Sequence, residues 1–346
     1  MPSVLLFGFL FLSLCISMVL IVPFIHLLYQ INFKRAKQKT VDAFGKRTPI
    51  FDKFHAHKAG TPVGGGILVL TVVSILFMLA MTLLDFFEIP ITYNYQSQNA
   101  EVWVLLFTFW SFGLLGLYDD IKKFFGFEKS GFFGLRMKEK LLIQIMLALL
   151  IACTLYFSLS ISILNVPFFG TFDLGWFYIP FAAFVIVSFA NAVNITDGLD
   201  GLAGGSMLFC LIGLWLISAT ILDMPLSIFL VLFIGSLISF VYFNVYPARI
   251  FLGDVGALSF GAILAVVGLL IGKPIALVII GGIFVLEITS SLLQLLSKKF
   301  RGRKLLPVAP IHLWLQKIGW PEAKIVQRFW LLQIVLTLFG IWITLL

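Results

Sequence analysis

Charged residues are scarce in this sequence. Asp, Glu, Lys and Arg together make up 12% of the 346 residues, whereas 61% of the residues are hydrophobic. Soluble domains carry about 25% charged residues, so this composition excludes an ordinary soluble fold. Apolar stretches of about 20 residues, the length an α-helix needs to cross a bilayer, recur along the chain. We therefore predict an all-α polytopic membrane protein that forms a single domain over residues 1–346.

Cysteine and histidine are also rare, at three and four residues. All three cysteines lie in apolar segments, which favours packing roles over a disulfide framework. His55 and His57 lie in a basic loop without further metal-ligating partners, so we exclude a zinc site. The sequence lacks basic residues before its first apolar stretch, 3–30, and has several after it. This is the reverse of a signal peptide and predicts a retained first span with its N-terminus outside.

Ten spans can be drawn from the apolar stretches. They cover approximately residues 3–30, 63–87, 101–118, 139–160, 174–193, 202–220, 226–243, 257–272, 275–296 and 327–346. With the N-terminus outside, Lys273 is the only basic residue on the outside, and the other 23 of the 24 Lys and Arg lie inside. The positive-inside rule therefore predicts that both termini are outside. The net charge of +8 then faces anionic lipids and substrates, and nothing resembles a nucleic-acid-binding module.

Carboxylates gather at the inside ends of the predicted spans. Mg²⁺ binds one or two carboxylates together with phosphate oxygens and water, so this grouping predicts a Mg²⁺-dependent phosphate site at the cytoplasmic face. The carboxylates of this inside group are Asp119, Asp120, Asp197, Asp200 and Asp254. Five others fall at outside ends and are predicted to be solvated loop charges: Asp85, Glu88, Glu101, Asp173 and Asp223.

Amides and glycines surround the inside carboxylates. Asp197 and Asp200 belong to the block Asn191-Ala-Val-Asn-Ile-Thr-Asp-Gly-Leu-Asp-Gly201, and their spacing puts both on one face of a helical turn. Asp254 ends an irregular segment that contains Pro247. Irregular backbone at membrane depth is tolerated only where it lines a cavity or is buried in protein.

Two further segments have more than one interpretation. Gly64–Gly66, at the start of the second span, form either a phosphate-cradling loop or a glycine-rich packing entry. Lys58, just before them, is either a phosphate partner or a solvated loop lysine. The last inside loop, around His312, has the aromatic and apolar character of a short interfacial helix.

These motifs occur together in one known family. The chain carries, in order, Lys58-x-Gly-Thr-Pro, Asp119-Asp120, Asn191-x-x-Asn-x-Thr-Asp-Gly-Leu-Asp-Gly, Phe243-Asn244, Phe251-Leu-Gly-Asp254-Val-Gly and Gln294. Over nearly its whole length it resembles the polyprenyl-phosphate N-acetylhexosamine-1-phosphate transferases of the glycosyltransferase 4 family. The tail, with Ala309-Pro-Ile-His312, Gly319-Trp-Pro-Glu and Arg328-Phe-Trp330, resembles specifically the branch that uses a muramoyl-pentapeptide donor.

The resemblance implies the reaction and its partners. Phospho-N-acetylmuramoyl-pentapeptide would pass from UDP-MurNAc-pentapeptide to undecaprenyl phosphate, giving lipid I and UMP in the first membrane step of peptidoglycan synthesis. The cofactor would be Mg²⁺, and the location would be the bacterial inner (cytoplasmic) membrane, with membrane lipid around the protein. The prediction includes no nucleic acid and leaves room for a homodimer.

The resemblance also implies roles for the chemical groups of the site. Asp254 is the leading Mg²⁺ ligand, and Asp197 is assigned to the metal as well as to the diphosphate. Asp119 is the base that accepts a proton from the lipid phosphate, and Asp120 assists at the lipid-phosphate and metal site. His312 completes the catalytic set and contacts the phosphate or sugar–peptide side of the donor.

The remaining motif residues would bind the donor. Asp200 and Lys58 would read uracil, Phe251 would stack on it, and Gln294 would contact the phosphate or sugar–peptide side. The residues implied to line the nucleoside and diphosphate pocket are Asn191, Asn194, Asp197, Asn244 and Gly253.

Two departures from the family pattern keep alternatives open. The family usually has consecutive histidines after Pro-Ile, and here Leu313 and Trp314 follow His312. Val63 stands where the family usually has Thr. The alternatives are a UDP-GlcNAc:polyprenyl-phosphate GlcNAc-1-phosphate transferase, an inactive homologue and, in a different class, a lipid or solute transporter. One-step and two-step displacement both fit the sequence.

Overall fold

The computed structural model describes residues 2–34, 58–89, 91–95, 97–125 and 135–345. The loop that contains His55 and His57 lies outside these ranges. In chain order, the described α-helices are α1 (Pro2–Gln30), α2 (Gly65–Phe86), α3 (Gln98–Phe124), α4 (Met137–Phe157), α5 (Tyr178–Thr196), α6 (Leu202–Thr220), α7 (Met224–Asn244), α8 (Gly253–Leu270), α9 (Pro274–Ile280), α10 (Gly282–Arg301), α11 (Ile311–Lys317) and α12 (Glu322–Leu345).

The predicted membrane architecture is confirmed. Within the described ranges, nine helices are long and apolar enough to cross a membrane, and the α9–α10 pair brings the number to ten if it forms one span. The only strands in the described part of the chain are β1 (Ile163–Val166) and β2 (Gly170–Asp173), which form a small antiparallel hairpin between α4 and α5. The composition did not predict this hairpin.

The predicted ninth span, 275–296, is not one continuous helix. It consists of α9 and α10, whose axes differ by 82° across a break at Gly281. A Cβ atom at Gly281 would lie 2.5 Å from the Phe189 ring, so the close approach of α5 requires glycine there. The break frees the carbonyl of Ile280, which accepts hydrogen bonds from Gln333 Nε2 of α12 and, at 3.0 Å, from Cys210 Sγ of α6.

Helix α8 lies at the centre of the bundle. Of the residues in its apolar stretch 94% are buried, against 22% for α1 and for α12. It packs against α2, α3 and α5, and Phe260 contacts the rings of Phe109 and Phe233 from α3 and α7. The uniformly apolar sequence of α8 fits this position, because a helix that is hydrophobic on all sides is buried among other elements.

Glycines set the position of the first turn of α8. A Cβ atom at Gly66 of α2 would overlap the backbone of Gly256, and one at Gly116 of α3 would overlap the backbone carbonyl of Asp254. Small residues allow helix backbones to approach closely within a membrane. The main chain that carries Asp254 is therefore held directly against two neighbouring helices.

The Gly64–Gly66 segment acts as a packing entry. The N–H groups of Gly64 and Gly65 donate to the carbonyl of Phe251, and that of Gly66 donates to Leu252. The N–H of Phe251 donates to the Pro62 carbonyl in return. These three glycine donors already have backbone partners, so the phosphate-cradle interpretation loses its hydrogen-bond donors.

Candidate active site

Asp119 and Asp254 meet at the end of the bundle that is predicted to be cytoplasmic. Asp119 lies near the C-terminal end of α3, and Asp254 lies in the first turn of α8. Lys123 Nζ lies 2.9 Å from Asp119 Oδ2 and 2.8 Å from Asp254 Oδ2. Lys140 Nζ lies 3.0 and 2.5 Å from the same two oxygens. We call these four side chains, two carboxylates joined by two lysines, the lysine-bridged pair.

Helix geometry explains one of these contacts. Lys123 follows Asp119 by one helical turn, so the two side chains lie on one face of α3. Lys140 belongs to the first turn of α4 and reaches across to both carboxylates. The backbone N–H of Leu135, just before α4, donates to Asp119 Oδ1 at 2.7 Å. Both Asp119 oxygens are therefore engaged, and the carboxylate is held in one orientation.

Asp120 lies beside this pair and is fully buried. Its Oδ2 accepts a hydrogen bond of 3.2 Å from the N–H of Val255, at the N-terminal end of α8. A Cβ atom at Gly253 would lie 2.7 Å from the same oxygen, and Gly253 has a φ of +79°. Gly253 therefore permits both the backbone turn and the close approach of Asp120. The structure thus brings together Asp119, Asp120 and Asp254 as the sequence predicted.

The number of carboxylate ligands in the lysine-bridged pair suits Mg²⁺. Two carboxylate oxygens converge on a common volume, and Mg²⁺ commonly uses one or two carboxylates and fills its remaining positions with phosphate and water. Among the described residues, no group of three or more His, Cys, Asp or Glu side chains could hold a metal ion. Asp197, at the C-terminal end of α5 and partly exposed, is not part of such a group. The assignments of Asp254 and Asp197 to a metal stay predictions.

A second charged group lies around Lys58. Its Nζ lies 2.7 Å from Asp200 Oδ1 and 2.5 Å from Glu322 Oε1, and all three side chains are at least 90% buried. Glu322 Oε1 also accepts a hydrogen bond of 2.6 Å from the N–H of Asp200. We call Lys58, Asp200 and Glu322 the Lys58 group. Lys58 is therefore not a solvated loop lysine, and it contacts Asp200 as the predicted uracil-reading pair requires.

Asn244 joins the two polar segments on either side of it. Its Oδ1 accepts a hydrogen bond of 3.1 Å from the N–H of Gly201, and its Nδ2 donates to the Ile250 carbonyl at 2.9 Å. The N–H of Ala248 donates to Asp200 Oδ2 at 3.0 Å. Asn244 and Asp200 thus hold the 197–201 turn against the irregular segment before α8.

The other predicted pocket residues are less enclosed. Asn191 and Asn194 lie on α5 and are partly exposed, and Asn191 Nδ2 donates to Gln144 Oε1 of α4 at 2.7 Å. Phe251 is also partly exposed, and its backbone pairs with Val63 at the entry to α2. Their contacts with a nucleoside or diphosphate stay predictions.

His312 is held by an unexpected carboxylate. It lies in α11, the short helix predicted for this loop, and only 1% of its surface is exposed. Its Nδ1 lies 3.0 Å from Glu287 Oε2, and its backbone N–H donates to Glu287 Oε1 at 3.2 Å. On the other side, a Cβ atom at Gly198 would lie 2.5 Å from His312 Nε2. Glu287 therefore directs the second ring nitrogen to the turn between Asp197 and Asp200.

Gln294 supports the chain next to this helix. Its Oε1 accepts hydrogen bonds from the N–H groups of Leu305 and Leu306, and its Nε2 donates to the Leu306 carbonyl. These bonds shape the loop between α10 and α11. A contact between Gln294 and the donor stays a prediction.

The prediction of solvated carboxylates at the outside is wrong for two residues. Glu101 and Asp223 are fully buried, and their carboxyl groups lie close enough to interact. Asp223 Oδ1 also caps α7 by accepting from the N–H of Leu226. Burial raises the pKa of Asp223 above its ordinary range. In sequence, Asp223 lies between two predicted spans, a position that is typical of a solvated loop. Its burial results from the packing of α3 against it, which is a tertiary contact.

Four charged residues of these sites were not predicted from the sequence. Lys123 had a local signal, because it follows Asp119 by four residues. Glu287 also had a signal, because an ionisable residue inside an apolar segment is a functional candidate by default. Glu322 ends the tail motif Gly319-Trp-Pro-Glu but was given no role, and Lys140 had no signal, since it reaches its partners only through the packing of separate helices.

Comparison with known proteins gives a consistent result. The model of the family described as glycosyl transferase family 4 matches residues 102–272. The phospho-N-acetylmuramoyl-pentapeptide-transferase of Rickettsia felis is 37% identical over 333 residues, which cover 90% of this chain and 86% of the relative. The enzyme of the same name from Rickettsia prowazekii is 36% identical over 333 residues, with the same coverage of both chains.

Proposed function

Because the chain belongs to the phospho-N-acetylmuramoyl-pentapeptide-transferase family, we propose that it transfers phospho-N-acetylmuramoyl-pentapeptide from UDP-MurNAc-pentapeptide to undecaprenyl phosphate. The products are lipid I and UMP, and the reaction takes place at the cytoplasmic face of the bacterial inner membrane. Membership of the family makes the chain a phosphotransferase, and its helices make it a multi-pass membrane protein. The observation that carries the specific proposal is the identity to these relatives over nearly the whole chain.

The lysine-bridged pair supports the chemical step. The acceptor phosphate oxygen forms a bond to the sugar-bearing phosphorus, and the bond from that phosphorus to the UMP oxygen breaks with its electron pair leaving on UMP. Asp119 accepts the proton of the acceptor phosphate. Its orientation is fixed by Leu135 and the two lysines, which supplies the positioning that proton transfer needs.

Mg²⁺ fits this proposal as the cofactor. Asp254 would hold it, and Asp119 and Asp197 are the other candidate ligands. When bound, the ion neutralises charge on the diphosphate. Lys123 and Lys140 contribute separately, because their ammonium groups contact Asp119 and Asp254 and lie where phosphate oxygens would arrive. Asp120 holds the first turn of α8, and thus the backbone of Asp254, in place.

The Lys58 group and its neighbours support donor binding. Lys58 and Asp200 would hydrogen-bond to uracil, with Phe251 stacked on it, and Asn244 holds the adjoining turn. Asn191, Asn194, Asp197 and Gly253 would line the path of the diphosphate. His312 and Gln294 lie toward the sugar–peptide end in this arrangement.

The test is UMP release from purified protein in detergent with undecaprenyl phosphate and Mg²⁺. We expect release with UDP-MurNAc-pentapeptide, and no release from an Asp254→Ala variant prepared in parallel as the background control. Absence of UMP with the unmodified protein would refute the proposal. UMP release would also exclude a transport-only role, because transport breaks no bond.

One observation favours a second donor. Leu313 and Trp314 replace the consecutive histidines of the family pattern, so hydrogen-bonding groups are missing next to His312. UDP-GlcNAc is therefore tested as an alternative donor in the same assay. Release of UMP from UDP-GlcNAc but not from the muramoyl donor would make the chain a GlcNAc-1-phosphate transferase.

A further inference from the structure

The charges of the Lys58 group do not balance. One ammonium group, that of Lys58, lies within 2.7 Å of carboxylate oxygens from both Asp200 and Glu322. Each of the three side chains is at least 90% buried, so solvent screens their interactions weakly. Among the described residues, Lys58 is the only cation that forms an ion pair with either carboxylate, so two carboxylates share one ammonium group.

This excess negative charge determines which ligand Lys58 accepts. A lone buried lysine attracts phosphate, because its ammonium is a compact positive charge. Here a phosphate at Lys58 would also lie close to two carboxylates, and like charges juxtaposed at a binding site suppress the wrong partner. A neutral group with carbonyl and N–H functions has no such penalty, and it can hydrogen-bond to both the ammonium and the carboxylates.

Glu322 is held in place from several sides. Its Oε1 accepts from Lys58 and also from the N–H of Asp200, which belongs to the 197–201 turn. It is the first residue of α12, where the helix dipole favours a negative side chain. Trp320, two residues earlier, is covered by the cationic groups of Lys324 and Arg328 at 5.0 and 4.5 Å from its ring centroid. Glu322 therefore sits on a fixed first turn.

We propose that Glu322 is a specificity-determining residue that makes the Lys58 end of the donor site accept a neutral nucleobase and exclude phosphate. The inference rests on the proposed function and deepens it, since it adds a residue that enforces the proposed placement of uracil at Lys58 and Asp200. The base goes to the Lys58 group, and the diphosphate goes to the lysine-bridged pair. The negative charge of the Glu322 carboxylate prevents the nucleotide from binding in the reverse orientation, with its phosphates at Lys58.

The experiment uses Glu322→Gln, which keeps the side-chain length and an oxygen for the N–H of Asp200 but removes the charge. Uridine and inorganic phosphate are tested separately as competitors of the donor in the UMP-release assay, with Mg²⁺ in excess. We expect uridine to inhibit the variant about tenfold more weakly, because a charge-assisted hydrogen bond is replaced by a neutral one. Phosphate should inhibit it several-fold more strongly. The KM of undecaprenyl phosphate should not change.

Three further variants keep the interpretation specific. Glu322→Asp retains the charge, so phosphate inhibition should stay at the wild-type level. Lys58→Met combined with Glu322→Gln should gain no phosphate inhibition, because the ammonium that attracts phosphate is gone. Glu88→Gln removes an exposed carboxylate at the opposite end of the protein and should behave as the wild type with both competitors.

Thermal unfolding separates this inference from the proposed function. Uridine should raise the unfolding midpoint of the wild-type protein by binding the folded state, and Glu322→Gln should lose this effect, whether or not the protein turns over. The inference is overturned if uridine and phosphate inhibition weaken together in Glu322→Gln, if neither changes, or if Glu322→Asp also gains phosphate inhibition. If only the UMP-release assay of the wild type fails, the reaction is wrong and the uridine result still decides the role of Glu322.

Discussion

Buried carboxylates occur at both ends of helix α3, and their partners differ. At the end predicted to be cytoplasmic, Asp119 shares Lys123 and Lys140 with Asp254. At the opposite end, about 27 Å away along the helix, Glu101 lies beside Asp223, and no ion pair among the described residues involves either carboxyl group. Neither Glu101 oxygen has a hydrogen-bond partner in the described part of the chain.

The difference shows that burial alone does not identify a reactive carboxylate. Two carboxylates that share lysines can stay ionised, because the ammonium groups compensate their charge, and ionised carboxylates can bind a metal ion. Two buried carboxyl groups that lie together without a cation do not both ionise, so they retain a proton. We therefore assign a catalytic role to Asp119 and Asp254. We assign a structural role to Glu101 and Asp223, which we call the outer pair. The following predictions test this assignment, from the largest effect to the smallest.

The largest effect on turnover is expected from replacing Asp119 or Asp254. Asp119→Asn removes the proposed base without changing its size, and Asp254→Ala removes the leading metal ligand. We expect turnover to fall by about 10²–10⁴-fold for Asp119→Asn, the usual contribution of a positioned proton acceptor, and to be abolished for Asp254→Ala. The measurement is UMP release at saturating substrates, with thermal unfolding as the check on folding. A variant that keeps a near-normal rate removes that residue from its assigned role.

A smaller loss is expected from removing a bridging lysine. Lys140→Met keeps an unbranched apolar side chain and leaves Asp119 and Asp254 with Lys123 as their shared cation. Hydrogen bonds to charged groups contribute about 1.5–3 kcal/mol, so we expect turnover to fall by about 10- to 100-fold. Lys138→Met, at an exposed position in the same first turn of α4, is the matched control and should leave the rate unchanged. Equal rates for both variants would show that the shared contact of Lys140 has no role in turnover.

A moderate effect is expected at the Glu287–His312 contact. Glu287→Gln keeps an acceptor for the His312 ring and backbone but replaces a charged hydrogen-bond partner with a neutral one. Such a replacement costs about 1 kcal/mol, and we expect turnover to fall by roughly fivefold. His312→Asn should lose more, because it removes the ring itself. If Glu287→Ala matched Glu287→Gln in rate, the carboxylate would not orient the ring.

The smallest effect on turnover is expected at the outer pair. Asp223→Asn keeps the cap to Leu226 and should leave UMP release at the wild-type level, but it should change how stability depends on pH. Because burial raises the pKa of Asp223 in the folded protein, the folded state retains a proton that the unfolded chain loses. The stability from this proton is fully present below the unfolded pKa of about 3.9 and declines as pH rises through the folded pKa.

The measurement for Asp223 is the unfolding midpoint across pH. The wild-type midpoint should fall as pH rises through this window, and Asp223→Asn should show a flatter profile. Asp173→Asn, at an exposed position of the hairpin where a hydrogen bond from Gly175 lowers the carboxyl pKa, is the control and should not flatten the profile in this way. A profile for Asp223→Asn that parallels the wild type would contradict the shared proton.

Hydropathy and charge predicted most of the fold. The requirement that every backbone polar group in lipid be satisfied internally leaves few architectures for so apolar a chain, so the spans follow from composition. The α9–α10 break was not predictable, because the apolar run across Gly281 continues without a polar residue. The buried state of Glu101 was also missed, since hydropathy locates the end of a span but not the helix that packs against it.

The site was predictable to the extent that its motifs are contiguous. Asp119, Asp120 and the 191–201 block are recognisable in the sequence because polar residues adjoin one another there. Lys140 and Glu322 complete two charged groups from separate helices. Nothing in the local sequence distinguishes Lys140 from an ordinary helix-end charge, and the tail motif that ends at Glu322 does not show that it contacts Lys58. Their roles depend on interhelical contacts that a one-dimensional pattern does not contain.

The break at Gly281 also constrains how the protein is assembled. Helix α9 has only seven residues, far fewer than the approximately 20 needed to cross a bilayer. The Ile280 carbonyl, which the break leaves without a helical partner, needs another donor within the membrane. Its side-chain donors are Cys210 of α6 and Gln333 of α12, and α12 follows the break in the chain. The hydrogen bonds of the Ile280 carbonyl are therefore complete only when α12 has packed against the break, so the depth of α9 in the membrane depends on a helix inserted after it.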